Sequence, residues 1–211
     1  RFIGNRFRLG FEFAGKGIFY NIRYHPNYFP VITEKKHMID YHLDLLTCLG
    51  IETKKRQPEI FLSSDEKENA SKLLKKNGVN LKNRFIGIHP GAHHESKRWP
   101  IEKFAAISDY LIANNGKKVI LFAGKEEKQL LSEFKGYAVK TPIILEDLSL
   151  REFMSVLGYC KLFLCNNSGP LNIAAALNIP TVSTMGPTIP FLWRPYGKDH
   201  IVLRKDVDCS P

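Results

Sequence analysis

Three absences narrow the reading of this 211-residue sequence before any motif is sought. No apolar run approaches the roughly 20 residues that a membrane-spanning helix needs; a run such as VILFA at 119–123 is far shorter, so no transmembrane helix is expected. The four cysteines, Cys48, Cys160, Cys165 and Cys209, are scattered, with no CxxC pair and no histidine at metal spacing. That excludes a zinc ribbon or a disulfide framework and fits a reduced, cytoplasmic chain that holds no metal. No GxGxxG follows any predicted strand, which argues against a dinucleotide-dependent oxidoreductase. Acidic side chains are also in short supply, 21 against 31 Lys and Arg, for a formal charge of +10. The excess favours anionic partners: nucleic acid, lipid headgroups or phosphorylated small molecules. The lysines are spread along the whole chain, and aromatics do not interleave with them as a stacking platform requires, so nucleic acid is not expected. The opening RFIGNRFRLGFEF carries neither an initiating Met nor a signal-peptide pattern, and the chain is expected to begin inside a longer protein.

What is present is enough apolar residue, 44% of the chain, for one substantial core or for a complete domain plus part of another. From about residue 85, short apolar runs alternate with amphipathic stretches. RFIGIHP, KKVILFAG, PIIL, KLFLCNN and PTVSTMG read as strands, separated by helices in WPIEKFAAISDYLIANNG, KEEKQLLSEFKG, SLREFMSVLGYC and GPLNIAAALN. Gly116 stands where a left-handed helix stop is wanted, and Ser149 with Glu152 spells a capping box. Strands apolar on both faces and separated by helices predict an α/β domain with a doubly wound parallel sheet covered on both sides. Upstream, residues 34–50 and 63–78 predict two helices ended by Gly50 and Gly78, joined by the linker ETKKRQPE, and FRLGFEF and GIFYNIRY predict strands of a different lobe. The expected division is therefore residues 1–80 and residues 81–211.

Two motifs are set aside. GFEFAGKG at 10–17 nearly spells a phosphate-binding loop, but Gly17 stands where a Ser or Thr should hold magnesium and a β-rich IFYNIRY follows instead of a helix. Asp206-Val207-Asp208 supplies two carboxylates, too few oxygens for a hard cation.

The chemistry gathers in three segments at predicted carboxyl ends of strands, where open parallel sheets bind ligands. NNSGP follows KLFLC: Ser168 is expected to cap the next helix, and Gly169 leaves its first amides approachable by an anion, for which a diphosphate fits. A well-capped helix and nothing more explains SGP equally when it is taken alone. In HPGAHHESKRWP, Gly91 and Ala92 form a turn with close backbone access, and Lys97 is a mobile charge suited to a phosphate oxygen, although alone it reads as a surface lysine. His93 and His94, lacking a third ligand nearby, are expected to face solvent. MGPT follows the strand PTVST.

In order, the motifs are PGA (90–92), KRWP (97–100), AG-x-x-E ending at Glu127, LSL-x-E (148–152), NNSGP-x-N-x-AAAL (166–177), GPT (186–188), WRP (193–195) and CSP (209–211). From about residue 85 onward, with weaker similarity at 34–50, this series resembles the carboxyl-terminal lobe of the ADP-heptose lipopolysaccharide heptosyltransferases, glycosyltransferase family 9. Those are inverting enzymes of the two-lobed GT-B fold that build the inner core of lipopolysaccharide. The resemblance implies a Rossmann-like donor lobe at 81–211 and, at 1–80, the end of an amino-terminal acceptor lobe with linker helices. It implies transfer of a sugar from a nucleoside diphosphate donor, ADP-heptose, to a lipopolysaccharide core or related lipid-linked acceptor, without further cofactor or metal.

Residue by residue, it implies that Lys97 meets the donor phosphates and stabilises the leaving diphosphate, beside Gly91, Ala92 and His93. Glu127, or its neighbour Glu126, would bond the ribose hydroxyls, and Leu148 would lie on the adenine. Ser168 and Gly169 would hold the diphosphate at the helix start, with Gly186, Pro187 and Thr188 closing the cleft. The family writes this helix start Asp-Thr-Gly-Pro-Met-His, and here Asn167 replaces the aspartate and Asn172 the histidine, which bears on the sugar more than on the diphosphate. The family's general base belongs to the amino-terminal lobe, which this chain is expected to lack, so the fragment would bind nucleotide without turnover. The basic surplus would suit peripheral contact with the anionic inner face of the cytoplasmic membrane. The alternative is a non-catalytic nucleotide-binding module, for which Asn167 is the supporting feature.

Overall fold

A computed structural model describes residues 7–12, 16–24, 35–82 and 84–205. Part of GFEFAGKG, the Asp206-Val207-Asp208 pair and the CSP motif therefore lie outside the described residues. The chain divides into two compact units, residues 1–56 with 189–194 and residues 57–188 with 195–211.

The smaller unit holds β1 (Leu9–Phe11) paired in parallel with β2 (Ile22–Tyr24), and helix α1 (Met38–Thr47). The helix begins at Met38 because the imidazole of His37 accepts from the Ile39 amide at 3.1 Å, taking the part of a capping side chain.

The larger unit begins with α2 (Ser64–Lys76) and continues through β3 (Ile86–His89), α3 (Ile101–Asn115), β4 (Val119–Ala123), α4 (Lys128–Tyr137) and β5 (Ile143–Glu146). Then come α5 (Leu150–Leu157), β6 (Leu162–Asn166), α6 (Gly169–Ala176) and β7 (Thr181–Thr184). The one-turn helix α7 (Pro190–Trp193) groups with the smaller unit, and β8 (His200–Leu203) returns to the larger one. The last two elements carry little periodicity in the sequence and were not predicted.

All six strands of the large sheet are parallel, in the order β5-β4-β3-β6-β7-β8. The chain winds outward from β3 in one direction, returns to β6 beside it, and winds outward in the other. Successive strand residues point to opposite faces, so a sheet covered on both sides needs unbroken apolar strands. In β4, Ile120 and Phe122 join the core with Phe85, Leu157, Phe163 and Leu171, while Val119 and Leu121 join the opposite core with Ile88, Phe104 and Phe134. The expected boundary near residue 80 put α2 with the acceptor lobe. Instead its Ala70 and Leu74 lie in the first of these cores, so α2 goes with the sheet.

The local signals are met. Gly116 has φ 54, in the left-handed region, and Ser149 and Glu152 make the reciprocal capping box of α5. Burial pushes the Cys160 thiol up to about 12 and moves Cys165 the same way, so neither is a ready thiolate.

Glu66 performs two tasks at once. Its carboxylate completes the capping box of α2 by accepting from the Ser63 amide, 2.8 Å, and receives the Arg151 guanidinium of α5 in a fork, 2.5 and 2.6 Å. The Arg151 hydrogen bond first, and the Ser63 amide second, hold Glu66 at about 2 instead of the ordinary 4.5. A carboxyl depressed in the folded state adds stability above its unfolded pKa and loses it as pH falls through the folded value. We expect the difference in urea midpoint between the parent and Glu66→Gln to be full above pH 4.5 and to close as pH approaches about 2. A difference that stays constant across that window would show that this carboxylate is not the titrating group.

Candidate functional site

Winding reverses between β3 and β6, so the loops leaving their carboxyl ends depart to opposite faces and open a crevice. One side chain organises it. Asn166, the last residue of β6, is fully buried and uses both ends of its amide. Its Oδ1 accepts from the Trp99 amide at 2.8 Å and from Thr184 Oγ1 at 2.9 Å, and its Nδ2 donates to the Pro90 carbonyl at 2.6 Å. HPGA, KRWP and the end of β7 are thereby tied to one point. Arg98 Nε adds a bond to the Ala92 carbonyl at 2.9 Å.

A second junction joins β3 to the loop after β4. His89 Nε2 lies 3.2 Å from Glu127 Oε2, which also accepts from the Gly124 amide at 2.8 Å. Burial works to raise the Glu127 pKa, but the His89 hydrogen bond and charge, the Gly124 amide and the Arg98 charge outweigh it and hold the carboxyl below its usual range. His89 Nδ1 is buried and has no hydrogen-bond partner among the described residues. Gly91 is required by this junction: a methyl there would overlap Glu127 Oε1.

Two adjoining cavities open at the crevice, sharing His89, Gly124 and Pro170. The first, about 250 Å³, is apolar, walled by Phe122, Leu145, Leu148 and Phe153. The second, about 570 Å³, is polar: Ala92, His93 and Lys97 line one side, Glu126 and Glu127 another, and Asn167, Ser168 and Gly169 at the start of α6 a third. Lys97 has no carboxylate partner among the described residues.

Most of the predicted site residues therefore converge. Thr188 joins them through its hydroxyl, which accepts from Asn167 Nδ2 at 2.7 Å, and Gly186 packs so closely under the KRWP loop that a Cβ would meet the Ser96 carbonyl oxygen at 2.7 Å. Pro187 is exposed in the turn between them, and Asn172 is exposed on α6 and lines neither cavity. Ser168 does precede α6, but the expected side-chain cap is not made; its hydroxyl faces the Asn166 carbonyl at 3.4 Å. Pro170 in the first turn removes one of the amides that a cap would otherwise serve. His93 and His94 are exposed as expected, yet both rim the polar cavity. Among the described residues no group of three or more His, Cys, Asp or Glu is arranged to hold a metal.

The sequence reading missed His89, Asn166, Phe122 and Phe153. The first two end predicted strands, which is the available signal; the two aromatics read simply as core.

An apolar slot beside a polar cavity at the switch point of an open doubly wound sheet is the place where sheets of this class bind ligands. The chain belongs to the family described as "Glycosyltransferase family 9 (heptosyltransferase)", whose sequence pattern matches residues 1–211. It is similar to lipooligosaccharide heptosyltransferase 2 of Campylobacter jejuni subsp. jejuni, 30% identical over 149 residues, 66% of this chain and 46% of that protein. It is also similar to lipopolysaccharide heptosyltransferase 3 of Escherichia coli, 27% identical over 169 residues, 78% of this chain and 49% of that one. Among solved structures, the glycosyl transferase family 9 protein of Veillonella parvula superposes with TM-score 0.79 at 24% identity, over 90% of this chain and 54% of that one. The E. coli heptosyltransferase WaaC with ADP superposes with TM-score 0.63 at 23% identity, over 90% and 55%. The chain spans about half the length of the curated relatives it matches. The doubly wound parallel α/β fold of the GT-B class expected from the sequence is thus the fold observed.

Asn166→Ala would leave an amide, a hydroxyl and a carbonyl without their buried partner, and we expect a loss of about 2–4 kcal/mol in unfolding free energy, read by urea denaturation. A loss under about 1 kcal/mol would show that the three loops are held otherwise. Gly186→Ala forces a methyl against backbone, and we expect about 1–3 kcal/mol of destabilisation, with amide shifts in an NMR spectrum concentrated at residues 96–99. Shifts spread evenly over the sheet would contradict the local contact.

Proposed function

We propose that residues 57–188 and 195–211 form the donor-binding lobe of a heptosyltransferase, and that residues 1–56 belong to the acceptor lobe. The observation that carries this is the pairing of the two cavities: an apolar slot sized for a base leads directly into a polar cavity sized for a diphosphate and sugar. In this reading the adenine of ADP-heptose lies between Leu148 and the Phe122 and Phe153 rings. The diphosphate meets Lys97, the Gly91-Ala92-His93 turn and the start of α6 at Ser168 and Gly169. Glu126 is the freer carboxylate for the ribose hydroxyls, because Glu127 is already committed to His89 and the Gly124 amide.

The reaction is an inverting displacement in which an acceptor hydroxyl of a lipopolysaccharide core attacks the anomeric carbon as the nucleoside diphosphate departs. Charge accumulates on the departing phosphate, and a cation held against it in a partly enclosed site lowers the barrier. Lys97 fills that role. Deprotonation of the acceptor is assigned to a group of the amino-terminal lobe. Among the described residues no helix is long and apolar enough to cross a membrane, and the proposed encounter with a lipid-linked acceptor is peripheral, at the anionic inner face of the cytoplasmic membrane.

A second reading, a nucleotide-binding module without transferase activity, is favoured by one observation: Asn167 spends its amide N–H on Thr188.

Titration calorimetry with ADP, UDP and GDP tests the first reading. ADP is expected to bind selectively, with Lys97→Ala weaker by roughly tenfold to a hundredfold, the range of a lost charged hydrogen bond. Preference for another nucleotide would overturn the adenine assignment, and no binding by any of the three would reject the donor-lobe reading. Sugar transfer by the full-length protein would dispose of the inactive module.

A further inference from the structure

At the opposite edge of the same sheet lies a third cavity, about 650 Å³, that the donor reading does not use. Its polar lining is Asn80, Lys82, Arg84, Lys117, Lys118 and Lys161, with no carboxylate among the described residues. Three adjacent strands build it, since β4, β3 and β6 are neighbours and the cations sit just before each begins. The Ile86 amide donates to the Lys118 carbonyl at 3.0 Å and the Lys161 amide donates to the Phe85 carbonyl at 2.8 Å. Lys118 and Lys161 therefore flank the buried Phe85 on a rigid frame, one strand away on either side. The flanks are held too: the Lys117 amide donates to the last turn of α3 at Leu111, 3.2 Å, and the Lys82 amide to Asn80 Oδ1, 3.0 Å.

Like charges side by side across strands oppose folding, and ordinary surfaces relieve them with interspersed carboxylates. None of these five cations is in a salt bridge among the described residues. The carboxyl end of a helix accounts for one lysine near α3. It does not account for five cations around one cavity. Among the described residues no aromatic ring lines it, which removes the stacking surface that single-stranded nucleic acid uses. The strands are four and five residues long, so at about 3.3 Å per residue this edge stands about 13–17 Å from the donor cleft at their other end.

We propose that the amino-terminal edge of the sheet is a second anion site, built to take clustered phosphate groups. The groups belong either to an anionic lipid headgroup or to a soluble phosphorylated ligand. Lys118 and Lys161 are its fixed centre, and Lys82, Arg84 and Lys117 its adjustable rim.

The test has two arms, run on the full chain, on Lys118→Ala/Lys161→Ala and on Lys97→Ala. In the first, inorganic pyrophosphate is titrated and followed by amide shifts in NMR spectra. In the second, the proteins are floated with vesicles of phosphatidylglycerol and phosphatidylcholine, or of phosphatidylcholine alone. Pyrophosphate is expected to shift residues 82–85, 117–119 and 161–162 in the parent and in Lys97→Ala. The double variant should weaken that response by roughly tenfold to thirtyfold, at about one surface lysine contact each. Recruitment to the anionic vesicles alone, lost in the double variant, would identify the headgroup as the source. Pyrophosphate shifts without recruitment would identify a soluble ligand. Arg84→Gln is expected to give an intermediate response with an unchanged urea midpoint, separating lost binding from lost folding. The proposal is overturned if neither probe responds to the double variant, or if Lys97→Ala alone abolishes every response at these residues. Neither result depends on whether ADP binds the other edge.

Discussion

The carboxyl edge of this lobe depends on one buried amide. Asn166 satisfies its oxygen twice and donates to a backbone carbonyl, across three loops that are separated by up to 94 residues in the chain (Pro90 to Thr184). Only a side chain that both donates and accepts can do this. An aspartate would face the Pro90 carbonyl with a charge, and a leucine would leave its neighbours unpaired at a site from which water is excluded. The cost of any alternative is high because the environment is dry, and the same dryness gives the loops a single geometry.

That geometry has consequences for the neighbouring groups. With HPGA pinned by Asn166, Gly91 lies against Glu127, and Glu127 in turn closes on His89 and the Gly124 amide. The carboxylate that the family resemblance assigns to a ribose is thus engaged inside the protein, and its neighbour Glu126 remains on the cavity wall. The apolar and polar cavities adjoin because His89 and Pro170 separate them by no more than one layer of side chains. Asn167 follows the same logic: its amide bridges to Thr188 and joins the loop after β7 to the start of α6.

The two ends of the sheet differ in chemistry. At the carboxyl edge two lysines, Lys97 and Lys125, stand among carboxylates, amides and imidazoles, an arrangement that can both attract and orient a ligand. At the amino edge the cations have no such company, and orientation would come only from the backbone frame that spaces them. A basic surplus of +10, read from composition, carries no hint of this division, because composition does not say where a charge lies.

Much of the fold was legible because it is encoded locally. Alternating apolar runs and amphipathic stretches, the glycine stop at 116 and the capping box at 149–152 each act within a few residues, and each is found where the chain spells it. The residues that line the polar cavity were legible for a related reason: glycine, proline and a lone lysine at strand ends depart from what folding alone requires. Other features were decided by tertiary structure. The place of α2 depends on the face its Ala70 and Leu74 meet, and the strand at 200–203 forms because β7 presents an open edge to it. Asn166 and Asn167 are adjacent and identical in type, and nothing in the sequence separates the buried hub from the loop clasp. Helix, strand and cap are short-range energies that a sequence displays directly. The partners of a buried amide, the company of a lysine and the meeting of two strand edges exist only once distant segments have been brought together.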